Sequence, residues 1–263
     1  MSHIGFDSPH LMHIFDSHAH YDDERFSEDV YELLDALPEK GVSGILSCGV
    51  NVESTRFAQA LAQKYGYIYA AAGFHPLNLE DVPENAEAVL RDLLKDSKTV
   101  AVGEIGLDYH YEKESREKQL ALFEMQLRLA KELNLPVIVH DREAHEDTLK
   151  LLKKIQPTGV IHCFTGSVET AKEILKLDMY IGLGGAVTFK NAVKPVEVAA
   201  MVPAERLLLE TDAPYMTPVP FRGKRCDSSH IAYTAARIAE IRGVDTQTLC
   251  EQAERNTRRL FRI

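Results

Sequence analysis

No apolar run in this sequence approaches the roughly 20 residues that a membrane-spanning helix needs. The first dozen residues lack a basic segment followed by an apolar one, so no secretory signal is expected. Cysteine is scarce, and Cys48, Cys163, Cys226 and Cys250 form no CxxC pair. That scatter fits reduced thiols in a cytoplasmic protein better than a disulfide framework. Cys48, Cys163 and Cys250 read as small buried hydrophobes. Positive charge is also short, with a formal net charge of −10. A protein that grips duplex nucleic acid with its whole surface is usually basic, so any such contact here is local. No GxGxxG follows the first apolar run, which weakens a dinucleotide-binding reading. No Gly/Ser tract, Pro-rich stretch or low-complexity block divides the chain.

What is present is an alternation. Short apolar runs occur at "HIFDSHAH", "VSGILSCGV", "YIYAAAGFHP", "TVAVGEIGLD", "LPVIVHD", "GVIHCFTG", "MYIGLGGA" and "RLLLETDAP". Helical spacing separates them, over about 28–40, 53–65, 84–96, 117–133, 143–155, 168–177 and 192–201. In the fourth of these, Leu120, Phe123, Leu127 and Ala130 form one stripe. Two more helices, about 229–242 and 246–261, close the chain. Alternation implies βαβ units and a parallel sheet with right-handed crossovers. Eight units in about 250 residues match a closed (β/α)8 barrel. Residues 1–12 have no periodicity and are set aside as a disordered or appended leader, with Met12 the expected native start. The pair Gly184–Gly185 reads as a turn.

Unusual residues sit where these runs end. Alternate residues of a strand share a face, so Asp16, His18 and His20 are expected on one side of the first run. His75 ends the third run, Glu104 the fourth, His140 the fifth and Asp212 the eighth, while His162 lies near the end of the sixth. In a parallel barrel those ends form one rim, where active sites are built. Four imidazoles and two carboxylates gathered there are awkward without cations. Imidazole with carboxylate suits Zn, Mn and similar divalent ions, and the absence of thiolates argues against a closed structural zinc site. The set His18, His20, Glu104, His140, His162 and Asp212 exceeds one tetrahedral shell, so two divalent ions are expected, with Glu104 able to bridge them. Two ions about 3.5–4 Å apart can activate water against a phosphoester. Asp212, from the run beside run one, is the expected proton acceptor.

The segment after Asp212, "TDAPYMTPVPFRGKRCDSSH", carries a basic cluster, Arg222, Lys224 and Arg225. Arg forks phosphate and Lys adds a point charge, so a local cationic lip for a phosphate-bearing substrate is expected. Tyr215 is a candidate for stacking on a base, and Lys190 for a further phosphate contact. Asp108 and His110 are candidates for orienting ligands. His145 and His230 read as structural or surface residues, and His3, His10 and His13 are set aside.

"DSHAH", "GFHP", "GEIGLDYH", "PVIVHDR", "IHCFTG", "LLLETDAPY" and "PFRGKR" together resemble, in order and approximate spacing, the TatD-type metal-dependent hydrolases of the amidohydrolase superfamily. The resemblance runs from about residue 13 to the end. It implies a single (β/α)8 TIM-barrel domain over 13–263, with an extra C-terminal helix. It also implies a centre of two divalent ions (Zn, Mn, Mg, Ni or Fe) and hydrolysis of phosphodiester bonds in DNA, often as a 3′→5′ exonuclease. His18 and His20 resemble ligands of one ion, and His140 and His162 those of the other. Glu104 resembles the bridging carboxylate and Asp212 a ligand that is also the base. His75 resembles a histidine near the scissile phosphate, and Arg222 and Lys224 match the basic substrate loop. One departure is visible: Cys226–Asp227–Ser228 stands where the family often has an Asn-Glu-Pro-like stretch. The expected substrate is therefore single-stranded DNA or a 3′ end, with RNA possible, for a monomer needing no protein partner. The alternatives are hydrolysis of a small ester, lactone or amide, and a non-catalytic binding protein using the same rim.

Overall fold

The computed structural model describes residues 13–111 and 115–263; the expected leader falls outside them. Eight parallel strands follow one another in chain order. They are β1 (Ile14–Ala19), β2 (Val42–Cys48), β3 (Ile68–Ala72), β4 (Thr99–Asp108), β5 (Val137–Arg142), β6 (Gly159–Ile161), β7 (Tyr180–Leu183) and β8 (Leu207–Leu209). The ring closes where the His20 N–H donates to the Ala213 carbonyl at 2.7 Å and the Asp212 N–H to the His18 carbonyl at 3.0 Å. This is the expected (β/α)8 barrel. Its helices are α1 (Val30–Ala36), α2 (Val52–Lys64), α3 (Ala86–Leu93), α4 (Arg116–Leu133), α5 (His145–Ile155), α6 (Val168–Lys176), α7 (Lys194–Met201), α8 (Ile231–Arg242) and α9 (Thr246–Phe261). Among the described residues no helix is long and apolar enough to cross a membrane.

Local chemistry sets the helix bounds. Asn51 and Ser54 form a reciprocal cap on α2, and Ser167 and Asp245 accept the Thr170 and Thr248 N–H groups at the starts of α6 and α9. The helix expected over 28–40 divides, because Pro38 cannot extend α1 and instead starts a short 3-10 turn.

Strand alternation sorts the core into two parts. Ile45, Val137, Val139, Ile161, Ile181, Leu207 and Leu209 belong to the larger cluster shared with the helices. Phe15, Leu46, Cys48, Ala71, Ala101, Ile138, Val160, Tyr180 and Leu208 form a second cluster, the barrel interior. Leu260 and Phe261 of α9 join that second cluster and so close one end of the barrel. Burying a side chain of that size contributes about 1.5–3 kcal/mol, which holds the additional helix α9 against the barrel.

Two close approaches dictate glycine. A Cβ on Gly106 would lie 1.9 Å from the His140 carbonyl oxygen, so β4 and β5 could not pair beside the site. A Cβ on Gly185 would lie 1.9 Å from the Met216 carbonyl oxygen. The expected Gly184–Gly185 turn is a 3-10 segment, and Gly185 is there to let the loop after β8 cross.

The expectation that Asp16 shares a face with His18 and His20 is corrected. The β1–β2 register shifts between Asp16 and Ala19 and separates them. Asp16 instead accepts from the Thr211 N–H at 3.0 Å, the Thr211 hydroxyl at 2.6 Å and the Ser228 hydroxyl at 2.7 Å. It therefore ties β1 to the segment just after β8 and to the turn that leads into α8. Asp16→Ala removes an acceptor from buried donors, and a loss of about 2 kcal/mol or more is expected in urea unfolding; Asp16→Asn should lose less.

Candidate metal centre

Glu104, near the end of β4, is 3 % exposed and stands at the middle of the barrel mouth. Its two oxygens face different partners. Oε2 lies 3.4 Å from His18 Nε2 and 3.2 Å from His20 Nε2. Oε1 lies 2.8 Å from His162 Nε2, 2.9 Å from His140 Nδ1 and 3.3 Å from His75 Nε2. Asp212 Oδ1 is 3.7 Å from His18 Nε2 and 3.6 Å from His20 Nε2. The seven rim residues expected to converge therefore do so. His18, His20 and Glu104; His75, Glu104 and His140; and His18, His162 and Asp212 are three groups able to hold a metal, with donor atoms within 4.8 Å of one another.

The outward nitrogens test whether a cation fits. His20 Nδ1 is 3.0 Å from the Cys48 carbonyl oxygen, which can only accept. His140 Nε2 is 3.1 Å from Asp108 Oδ2. Each ring thus carries its N–H outward and aims a lone pair at a Glu104 oxygen. Lone pairs facing a carboxylate need a positive charge between them, and a divalent ion suits that gap. With a proton there instead, burial opposes the charged ring, but the Glu104 contacts outweigh it and His20 rises to about 9. His140, bonded to Asp108 and Glu104, likewise rises against burial to about 10. Burial also works against an ionised Glu104, yet the surrounding imidazoles hold it well below the usual carboxylate range.

Several neighbours escaped the sequence reading. His162 Nδ1 and Glu210 Oε2 are both buried without a hydrogen-bond partner, and His162 Nδ1 lies 3.7 Å from Glu210 Oε1. Burial pushes the Glu210 carboxyl well up. Cys48 Sγ touches His18 Nδ1 at 3.4 Å, so this buried thiol lies directly beneath the site. Strand alternation carried the signal for Glu210, which lies between interior Leu208 and Asp212. It did so too for Arg142, two residues after His140.

The site opens into a cavity of about 470 Å³, lined among others by His20, His75, Glu104, His140, His162 and Asp212, with Tyr111, Arg142 and Tyr215. A more open groove of about 630 Å³ lies outside along α3 and has no His or Cys in its lining.

The sequence model of TatD-related DNases matches residues 15–262. The chain belongs to that family. It is 42% identical over 253 residues to the metal-dependent hydrolase YabD of Bacillus subtilis, covering 95% of this chain and 99% of that one. It is 35% identical over 260 residues to the 3′-5′ ssDNA/RNA exonuclease TatD of Citrobacter koseri, covering 95% of this chain and 99% of that one. The crystal structure of the TatD homologue YJJV from Escherichia coli superposes with a TM-score of 0.90 at 35% identity, over 96% of this chain and 99% of that chain.

Within this TatD-family barrel the cations of the basic loop have contacts of their own. Arg222 donates to the Thr217 carbonyl at 2.9 Å and lies 3.9 Å over the Phe189 ring. Lys224 lies 5.6 Å from the Phe221 ring centre, and Arg225 forks Asp29 at 2.7 and 2.6 Å. None of the three lines the cavity, nor does exposed Lys190. Arg222 and Arg225 thus have hydrogen-bond partners within the fold, while Lys224 is exposed and has no carboxylate partner among the described residues. The departing segment braces the fold: Asp227 accepts the Ser229 N–H, and Ser228 bonds Tyr21 and Asp16. Tyr215 does line the cavity, but its hydroxyl donates to Asp23 and Arg25 covers one face at 4.1 Å. Asp108 orients His140 as expected, whereas His110 pairs with exposed Glu143 at the surface. His145 and His230 serve Asp141 and Asp227. Cys48, Cys226 and Cys250 are buried; Cys163, expected buried, is half-buried.

Losing the outer partner of a ligating histidine typically lowers metal affinity about 10–100-fold. Asp108→Ala should show that loss in a chelator-competition titration with unchanged circular dichroism. Metal must also displace the protons that His20 and His140 hold, so divalent affinity should rise between pH 6 and pH 9 in the wild type.

Proposed function

We propose that this hydrolase removes nucleotides from the 3′ end of single-stranded DNA, with RNA a second substrate, using two divalent ions. The partition of Glu104 carries this reading. One oxygen serves His18 and His20, the other His140 and His162, as a carboxylate shared between two ions requires. Asp212 completes the set from beside His18 and His20. Imidazole and carboxylate donors accept Zn, Mn, Mg, Ni or Fe alike. The similarity to the 3′-5′ ssDNA/RNA exonuclease TatD of Citrobacter koseri supports the polynucleotide substrate.

Bound divalent ions would supply hydroxide near neutral pH and absorb charge on phosphoryl oxygens. The protein's own groups do the rest. Burial pushes the Asp212 carboxyl up against the pull of nearby His162 and His20, the direction wanted in a group that takes a proton from water. His75 accepts the Leu77 N–H on Nδ1 at 3.2 Å, so its Nε2 carries the hydrogen and points into the mouth. Burial holds that ring toward neutrality, and it is placed to donate to a phosphate oxygen.

Glu104→Ala and His140→Ala should lower metal-dependent digestion of a 3′-labelled oligonucleotide about a thousandfold or more while the fold persists. Undiminished turnover in metal-reconstituted Glu104→Ala would defeat the mechanism. A panel of nitrophenyl phosphodiesters, esters and amides tests the bond, and preference for a neutral ester would favour a different substrate.

A further inference from the structure

We propose that Arg142 and Tyr111 form a nucleotide subsite, in which the guanidinium takes a phosphate next to the scissile one and the ring stacks on a base. This rests on the phosphodiesterase reading above. Tyr111 follows β4 and Arg142 ends β5, whereas Tyr215 follows β8 and Arg25 follows β1. In a ring ordered β1 to β8, these two pairs face one another across the mouth. Both tyrosines line the cavity and are open to solvent, Tyr111 at 62 % and Tyr215 at 46 %. Each lies beside a guanidinium, 4.6 Å from the ring centre for Arg142 and 4.1 Å for Arg25.

The two sides differ in charge. Arg25 forks Asp23 at 2.9 and 3.0 Å, and the Tyr215 hydroxyl bonds the same carboxylate. That side is neutralised and its ring is pinned. Arg142 has no carboxylate partner among the described residues, and it is exposed. It projects from the face of β5 that carries His140, two residues earlier. A guanidinium with no carboxylate partner among the described residues, beside an open aromatic ring on the wall of a mouth lined by carboxylates and histidines, has the chemistry to hold an anionic group with a planar one attached. A nucleotide offers that combination, and an uncharged ester does not. The subsite also gives the cavity a direction, with the polynucleotide leaving over β4 and β5.

The test compares Arg142→Ala, Arg142→Lys, Tyr111→Ala and Tyr111→Phe with wild type, loaded with Mn²⁺. Substrates are a single-stranded oligonucleotide and bis(4-nitrophenyl) phosphate, which has no neighbouring nucleotide. Arg142→Ala and Tyr111→Ala should raise KM for the oligonucleotide about tenfold. Their loss in kcat/KM should exceed that on the small diester by a similar factor. Arg142→Lys and Tyr111→Phe should recover part of the difference. Arg142→Ala should also flatten the dependence of log KM on log salt by about 0.7, the share of one single-strand phosphate. Equal losses on both substrates, or an unchanged KM and salt slope, would overturn the subsite. If wild type cleaves neither substrate, the phosphodiesterase reading fails by itself. Fluorescence anisotropy of a labelled oligonucleotide then decides the subsite: about tenfold weaker binding by Arg142→Ala supports it, and equal binding overturns it.

Discussion

A single buried carboxylate, with each oxygen turned to a different group of imidazoles, organises the mouth of this barrel. Glu104 on its own would be expensive to bury in ionised form. It is tolerable because five histidines from four other strand ends surround it. Those histidines are tolerable in turn only because a negative centre faces them. Neither half of the arrangement is stable alone, and both are arranged to receive positive charge. The lone pairs of His20 and His140 point inward because the Cys48 carbonyl and Asp108 occupy their outer nitrogens.

The barrel makes this possible through its seam. Strands β1 and β8 meet through the backbone at His18, His20, Asp212 and Ala213. Asp16 locks that seam from outside by holding Thr211 and Ser228. Asp16, which fixes the wall, and His18, which faces the proposed ions, are only two residues apart. The register shift in β1 is what lets them serve opposite sides. At the far end, Leu260 and Phe261 complete the interior, so the C-terminal helix belongs to the same packing problem as the strands.

The charge pattern of the mouth follows a similar logic of consumption. Arg25, Arg222 and Arg225 are bound to Asp23, Thr217 and Asp29, and so shape loops. Arg142 lies beside the Tyr111 ring and has no carboxylate partner among the described residues. A protein of net charge −10 can thus present a local cationic point to a substrate without a basic surface.

The order of strands and helices, the closed barrel and the convergence of seven rim residues were legible in the sequence, because each depends on short-range periodicity and on the geometry common to parallel barrels. His18, His20, His75, Glu104, His140, His162 and Asp212 could be named from where apolar runs stop. Alternation also marked Glu210 and Arg142, though their value was not evident without neighbours. What only the tertiary structure decided was partnership. Whether Arg225 stays free or meets Asp29, whether Asp16 faces the centre or Ser228, and which nitrogen of His20 and His140 turns inward all depend on contacts between residues remote in sequence. Those contacts are set by register and packing, which a linear pattern does not encode.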